Sequence, residues 1–461
     1  MKSSKRILRV LVTVIALAVV ATACDSSSDT TTPQQSSTTA TTQVDSTSPT
    51  TTEAPITSIP TEQIPGGHSD SISDELDAAM RTEIGSLMLI AEENRALPFL
   101  EIPTVTILDE EEFSARVAEE VASDLDPVEI AGDEQFFQLM GMLDDDVDLA
   151  QLIIDVSAGN VIGFYDPEVG ELVIPIAADG LSEYQKITVV HELVHALTDQ
   201  HFDFADERDV LDESGTGDDV SALLAGVEGD ATYQQFVYFE GLDPAAAVDA
   251  ATEALGFDSS VLDAAPTWIQ QDLLFPYEQG LVFVGAIVAD GGLKGVDAMY
   301  QDLPSTTEQI LEPRKYLRRE DPLLLDPVSV ALEGWTTHDE GSFGEWGVRL
   351  ILADTLSPGN ITQAAAGWGN DAYSVLLKDD DVAVAWSYLA ESVQDAEDLV
   401  NAMILHARGP MGTTSSRESG GGLLLEGGGA YVFIDRIEDR FVFIASTDAT
   451  AGQDLRTQMG V

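Results

Sequence analysis

The most restrictive feature of this 461-residue chain is the run HELVHALTDQH, which extends from His191 to His201. In an α-helix of 3.6 residues per turn, side chains four positions apart lie on one face, so His191 and His195 can bind one zinc ion together. Glu192 then lies beside the metal, where its carboxylate can accept a proton from a metal-bound water. The run therefore predicts a helix that supports zinc-assisted hydrolysis of an amide bond, with one Zn²⁺ per chain.

The residues around this run have the periodicity of a helix with one buried face. Apolar side chains recur at helical spacing at Ile187, Val190, Val194 and Leu197, and we expect the acidic segment that follows to be a loop. The alternative is a surface helix whose histidines only cover a core. Three of the six histidines of the chain lie within HELVHALTDQH, which favours the metal interpretation.

A catalytic zinc normally has three protein ligands, and the sequence offers two candidates for the third. His201 has the spacing from His195 that a metzincin-like site uses, but such a site needs a sharp turn midway. Thr198 occupies that position, and a β-branched residue is poorly suited to a positive φ. Glu228 lies in a second amphipathic helix, DDVSALLAGVEGDATYQQFVYF, whose small residues would allow close approach to the zinc helix. We favour Glu228, and His201 is the alternative.

The segment VIGFYDPEVGELVIP, ahead of the zinc helix, predicts a β-hairpin from about Val161 to Pro175. Two apolar runs there flank a turn that contains Pro, Glu and Gly. In zinc peptidases of this general plan, an edge strand beside the active helix binds the substrate backbone by strand addition, and this hairpin is the candidate. The alternative is an ordinary hairpin that packs on the helix.

HELVH followed further along the chain by EGDAT resembles the gluzincin class of zinc peptidases, in which a glutamate on a downstream helix completes the metal site. The segments GFYDP, DQHF, FPYEQGLVFV, TTEQILEPRKYL and AAAGWGNDAY are similar to a group of bacterial and archaeal metallopeptidase-like lipoproteins. This likeness covers most of the chain from about residue 69. It implies His191, His195 and Glu228 as zinc ligands and Glu192 as general base. The chain departs from the pattern of the group at Glu312, Arg314, Asn370 and Ala372.

Other polar residues near these helices are further candidates for the site. Asp199 and Asp230 are candidates to orient the ligand imidazoles through their second ring nitrogens, unless they are solvated acids on helix faces. An oxyanion donor would stabilise the tetrahedral intermediate of amide hydrolysis. The eligible side chains are Tyr277, Tyr233 and His338. Such a tyrosine more often only packs, so the sequence leaves the oxyanion donor unassigned.

Residues 1–23 have the pattern of an export signal, with four basic residues ahead of an apolar run that is too short to span a bilayer. Cys24 follows directly, as in a bacterial lipoprotein box, and it is the only cysteine of the chain. We favour lipidation of Cys24, which places the protein in the cell envelope on the outer face of the membrane. Without lipidation the protein would be secreted. Residues 24–68, rich in Ser and Thr, are predicted to form a disordered tether.

The chain is strongly acidic, with 82 Asp and Glu residues against 21 Lys and Arg and a formal net charge of −61. Such a surface repels nucleic acid and anionic lipid, and salt screens its self-repulsion. We interpret it as adaptation to a saline environment, because the excess is spread along the chain; an acidic groove for basic peptides is the alternative. The expected partner is a peptide or protein substrate, with membrane contact only through the lipid anchor. The oligomeric state is not predicted.

The fold class that we predict is α+β, with a small sheet whose edge hairpin packs on the zinc helix, a helical second lobe and a small C-terminal α+β module. Residues 69–350 are assigned to the metallopeptidase-like domain and 351–461 to the module packed on it. FPYEQGLVFVGAIVADGG predicts a helix that begins near Pro276 and packs tightly at Gly280. The module is expected to contain a helix from about Gln394 to His406, strands in YVFIDRIEDRFVFIAS and a flexible loop in SSRESGGGLLLEGGG.

These observations favour an exported, lipid-anchored zinc metallopeptidase whose substrate and bond preference are not predicted. Glu192 would act as general base and then as proton donor. The alternative from another class is a non-catalytic surface protein with a peptidase-like fold that binds peptides. Another alternative keeps the activity but uses His201 in a metzincin-like site.

Overall fold

The structure is a computed structural model that describes residues 78–176 and 180–461, together with residues 68, 72 and 76. Within helix 204–214 it does not describe the side chains of residues 212–214. The predicted export signal, Cys24 and nearly all of the predicted tether lie outside the described residues. The fold class is α+β, as predicted from the sequence.

The elements fall into three consecutive groups along the chain. The first contains α1 (Ala78–Arg95), β1 (Thr104–Leu108), α2 (Glu110–Asp124), α3 (Pro127–Leu139), α4 (Leu149–Asn160), β2 (Phe164–Asp166) and β3 (Glu171–Pro175). The second is helical, with α5 (Glu183–Phe202), α6 (Phe204–Ser214), α7 (Gly217–Glu240), α8 (Pro244–Leu255), α9 (Ser260–Ala264), α10 (Thr267–Gly291), α11 (Leu293–Gln301), α12 (Thr307–Leu311) and α13 (Pro313–Leu317). The third contains β4 (Thr336–Gly341), α14 (Gly344–Ile351), α15 (Pro358–Ala365), β5 (Trp368–Lys378), β6 (Asp381–Ala390), α16 (Val393–Arg408), β7 (Ser415–Ser419), β8 (Gly422–Gly427), β9 (Ala430–Ile437), β10 (Arg440–Ser446) and α17 (Ala449–Met459).

A small three-stranded sheet lies beside α5. Its strand order is β1-β3-β2, with β1 parallel and β2 antiparallel to β3. The β2–β3 hairpin falls inside the predicted range, and β2 is the outer strand on the side that contacts α5. The edge hairpin next to the helix is thus confirmed.

Helices α5 and α7 both begin with a capping box, so the local sequence determines where each helix starts. Ser182 and Gln185 form a capping box at the start of α5, and Thr216 and Asp219 form one at the start of α7. These pairs satisfy backbone groups that the first turn of a helix leaves free. At its other end, α5 stops at Asp203, which has a φ of 50°. The acidic segment beyond it forms helix α6, so the prediction of a loop there is wrong.

Helix α7 crosses α10 with its backbone in direct contact. A Cβ on Gly229 would overlap the backbone of Gly280, and a Cβ on Gly280 would overlap the carbonyl oxygen of Ala225. The tight packing predicted at Gly280 is confirmed. We expected the small residues of α7 to allow close approach of α5. Gly229 instead allows close approach of α10.

Helix α10 begins at Thr267, so the prediction of a start near Pro276 is wrong. Trp268, Ile269 and Leu273 are buried upstream of the proline, and their packing extends the helix through it. Among the described residues, α10 is the one helix long and apolar enough to cross a bilayer. A packed core helix has the same length and composition, and α10 buries one face against α7.

The C-terminal sheet has seven antiparallel strands in the order β4-β5-β6-β10-β9-β8-β7. Successive side chains of β10 alternate between two cores, as a strand requires: Phe441 and Phe443 lie with α16, whereas Val442 and Ile444 lie with α17. The predicted helix in this module is confirmed as α16. The core that contains α16 also includes buried residues of α2, α3 and α4, so the module shares a core with the first group of elements.

The segment SSRESGGGLLLEGGG, predicted to be a flexible loop, is the hairpin β7–β8, and β8 also pairs with β9. Gly420 and Gly421 have positive φ values and form its turn. Leu424 and Leu425 are buried, which explains why the segment is ordered. Strand β4 of the same sheet precedes residue 351, where we expected the module to begin.

The crossing of α7 and α10 gives a stability prediction. Gly280→Ala should lower the free energy of unfolding by about 1–3 kcal/mol, because the added methyl meets the rigid backbone of α7. Gly285→Ala is the matched control on the same helix, since a Cβ there has no atom within 4 Å. Removing a helical glycine there should stabilise the protein by about 0.5–1 kcal/mol. Denaturant unfolding measures both changes, and equal effects of the two substitutions would contradict the close crossing.

Candidate metal centre

Three buried ligating groups meet between α5 and α7. His191 and His195 lie one turn apart on α5, and Glu228 lies in the middle of α7. The Nε2 atoms of the two histidines are 3.0 Å apart, and Glu228 Oε2 is 3.1 Å from Nε2 of His191 and 3.2 Å from Nε2 of His195. This group could hold a metal ion, and it is the one such group found among the described residues.

The triangle of ligating atoms fits a small divalent cation. Zinc binds imidazole nitrogen and carboxylate oxygen at about 2.0–2.2 Å, so in a tetrahedral site its ligand atoms lie about 3.3–3.6 Å apart. The spacings of 3.0–3.2 Å between the three atoms are only slightly smaller. Two imidazoles and one carboxylate are also a donor set that zinc accepts in catalytic sites.

Glu192 lies beside this group on α5 and is fully buried. Its Oε2 accepts a hydrogen bond of 3.1 Å from the backbone N–H of Tyr165 on β2. Its Oε1 has no hydrogen-bond partner among the described residues. Burial raises the pKa of Glu192 to about 8, although His195 favours its ionised form. The backbone of β2 thus holds Oε2, and Oε1 is the oxygen left without a hydrogen bond among the described residues.

Burial and mutual attraction shift the pKa values of the three ligating groups. Burial lowers the pKa of His191. Burial also opposes the charges of His195 and Glu228, but their mutual attraction prevails, so the pKa of His195 is raised and that of Glu228 is lowered. A proton on His195 compensates the buried carboxylate in this arrangement. A divalent cation would compete with that proton for the same nitrogen.

The structure places His201 away from the group. Helix α5 continues past Thr198, whose hydroxyl donates to the carbonyl of Val194, so the sharp turn of a metzincin-like site is absent from this helix. His201 Nε2 donates to the carbonyl of Pro98 at 2.8 Å, in the segment after α1. Glu228 is therefore the residue brought to the two histidines.

Asp199 and Asp230 have partners other than the ligand imidazoles. Asp199 accepts from the hydroxyl of Tyr165. Asp230 forms a buried ion pair with Arg95, whose Nε is 2.7 Å from Oδ2, and also accepts from the hydroxyl of Tyr300. The structure thus gives Asp230 the role of fixing α7 to α1 and α11, two residues beyond Glu228.

The three candidate oxyanion donors lie in different surroundings. The ring of Tyr277 is tilted against that of His191, with centroids 6.0 Å apart. Tyr233 packs among apolar residues shared by α7 and α10. His338 lies on β4, where its Nε2 is 2.8 Å from Oδ1 of Asp133 on α3. Of the three, the structure places Tyr277 beside a candidate ligand, His191.

Sequence reasoning missed Gln235. Its Oε1 lies 2.9 Å from Nδ1 of His191, and the contact is buried. Gln235 follows Glu228 by seven residues, which is two helical turns and places both on one face of α7. That spacing was the available signal, but glutamine seven residues after a glutamate is common on helices.

Residues 331–456 match a family described as a domain of unknown function (DUF8575). The match covers the seven-stranded sheet and leaves α5 and α7, which carry the candidate metal-binding group, outside it. No curated protein and no solved structure matches the chain.

The geometry predicts which residues a bound zinc ion would require. Glu228→Ala should lose the zinc that the parent retains after dialysis, because two imidazoles remain without the carboxylate that balances the cation. His201→Ala should retain zinc, because its imidazole bonds to Pro98. Zinc content per folded chain is the measurement, with circular dichroism to confirm folding. Loss of zinc from His201→Ala and not from Glu228→Ala would reverse the assignment.

Proposed function

We propose that this protein is a zinc-dependent peptidase of the gluzincin type, with His191, His195 and Glu228 as ligands of one Zn²⁺. The observation that carries the proposal is the buried triangle of ligating atoms with the unpartnered oxygen of Glu192 beside it. A closed structural zinc site would have a fourth protein ligand and no need of this carboxylate. The resemblance of HELVH and EGDAT to gluzincins agrees with this ligand set.

When bound, zinc would act as a Lewis acid: it would polarise the substrate carbonyl and lower the pKa of a bound water to about 7. Glu192 would take up the proton of the attacking water at Oε1. It would then deliver that proton to the leaving amide nitrogen. The hydrogen bond from Tyr165 N–H to Oε2 keeps the carboxylate in position during both transfers. Tyr277 is a candidate to contact the oxyanion, because its ring lies against His191.

The outer strand β2 remains the candidate for holding an extended substrate by strand addition. Among the described strands it pairs only with β3, and it lies against α5. The N–H of Tyr165 is directed at Glu192, so that group is engaged in positioning the general base. The backbone groups of Phe164 and Asp166 face β3, so within β2 a substrate strand would bond to the carbonyl of Tyr165.

Export and lipidation belong to the same proposal and rest on the sequence. The signal of residues 1–23 and Cys24 would place the peptidase on the outer face of the membrane, with residues 24–68 as a tether. A non-catalytic peptide-binding protein would keep this location but not hydrolyse its ligand. Activity measurements therefore separate the two functions.

The decisive variant is Glu192→Gln. It keeps the shape of the side chain and all three ligands, so we expect zinc content to match the parent and peptide hydrolysis to be lost. Cleavage of a peptide library by the purified protein, with and without a chelator, is the measurement. Glu183→Gln is the matched control, because Glu183 lies in the first turn of the same helix and forms a partly exposed ion pair with Lys186.

Two results would count against the proposal. Hydrolysis by Glu192→Gln at the rate of the parent would show that the general base is another group. A zinc-loaded parent without hydrolysis of any peptide in the library would favour the binding protein. Glu183→Gln should retain activity, which excludes a general effect of removing charge from α5.

The anchoring proposal predicts a change in location. In a bacterial host that processes lipoproteins, the parent should partition with membranes. Cys24→Ala should release the protein into the soluble exported fraction, because the thioether that carries the lipid cannot form. Detergent phase partitioning and mass measurement of the mature N-terminus test this. Identical partitioning of parent and variant would rule out a lipid on Cys24.

A further inference from the structure

One helix contacts both ring nitrogens of His191. Glu228 of α7 lies 3.1 Å from Nε2, and Gln235 of the same helix lies 2.9 Å from Nδ1. The two residues are two turns apart on one face of α7, and the ring fits between them. His191 and Gln235 are both buried, so these contacts lie away from bulk solvent.

An imidazole that binds a metal through Nε2 must carry its proton on Nδ1. That proton needs an acceptor, and a buried N–H without one costs about 1–3 kcal/mol. The amide oxygen of Gln235 is at hydrogen-bond distance from Nδ1. The alternative tautomer would direct its proton into the space between the ligating atoms.

We propose that Gln235 is a positioning residue for the metal site: its amide oxygen fixes the Nδ1–H tautomer of His191 and directs the Nε2 lone pair at the zinc. The inference rests on the zinc site proposed above and deepens it. Gln235 contacts Nδ1, whereas Nε2 faces the other ligating atoms, so Gln235 acts on the metal through His191. The sequence patterns indicated Asp199 and Asp230 for this role and did not indicate Gln235.

The chemistry of the partner is also informative. Many metal-binding histidines donate to a carboxylate, which raises the basicity of the ring. Here the acceptor is a neutral amide, in a site that already holds the carboxylates of Glu192 and Glu228. A carboxylate at the same position would accept the same proton, and its added charge would favour the binding of a divalent cation. An amide supplies the acceptor without that charge.

The neighbouring Gln234 provides a matched control. It is equally buried on α7, but its Nε2 donates to Asp230 rather than to a histidine. Gln234→Leu therefore makes the same change of side chain, one residue away, without affecting the acceptor at Nδ1. A role of Gln235 that was only structural would make the two leucine variants behave alike.

The test uses the folded protein with zinc as the probe and two readouts. Chelator competition gives the zinc affinity, and long-range ¹H–¹⁵N spectra of histidine-labelled, zinc-loaded protein show which nitrogen of His191 carries the proton. We expect Gln235→Leu to weaken zinc binding about 10- to 100-fold and to lose the slowly exchanging Nδ1–H signal. Gln235→Glu restores an acceptor, so it should bind zinc at least as tightly as the parent and keep that signal.

The outcomes separate this inference from the proposed function. If the parent binds zinc and Gln235→Leu binds it equally well with the Nδ1–H signal intact, the role of Gln235 is overturned and the zinc site stands. Equal loss of affinity in Gln234→Leu, or no rescue by Gln235→Glu, overturns it as well. Failure of the parent to bind zinc overturns the proposed function itself.

Discussion

The close approach of α5 and α7 is the constraint on which the rest of this structure depends. It brings one carboxylate and two imidazoles within 3.2 Å of one another in a buried space. Burying a carboxylate is unfavourable unless positive charge lies beside it. The two helices therefore have to be held so that Glu228 stays next to the histidines. The backbone contact of Gly229 with Gly280 and the ion pair of Asp230 with Arg95 both act on α7 within two residues of Glu228.

The region that matches a domain of unknown function also helps to position α7. Asp218, in the first turn of α7, accepts hydrogen bonds from the backbone N–H and hydroxyl of Thr307 on α12. The Thr307 hydroxyl also accepts from the N–H of Trp346 on α14, which lies inside the matched region. These consecutive hydrogen bonds fix the start of α7, the helix that carries Glu228 and Gln235. Helix α14 of the matched region therefore helps to position α7, and among the described residues this region supplies no ligating group to the candidate metal centre.

Sequence patterns succeeded where local rules decide the structure and failed where packing overrides them. The hairpin before α5 and the helix α16 follow from turn residues and periodicity, and both were predicted. Pro276 was taken as a helix start, but buried residues upstream extend α10 through it. The glycines of SSRESGGGLLLEGGG indicated a loop, whereas pairing of β8 with β9 makes this segment part of the sheet. Neither pairing nor burial is visible in a local window of sequence.

The sequence by itself determined that His191 and His195 share a face of one helix with Glu192 beside them, because helical periodicity fixes the relation of residues four apart. It also made Glu228 a reasonable third ligand. Only the tertiary structure decided that Glu228 meets the pair, that His201 bonds to Pro98, and that Gln235 rather than Asp199 or Asp230 contacts His191. These outcomes depend on how two helices cross, and long-range packing between α7, α10 and α1 sets that crossing.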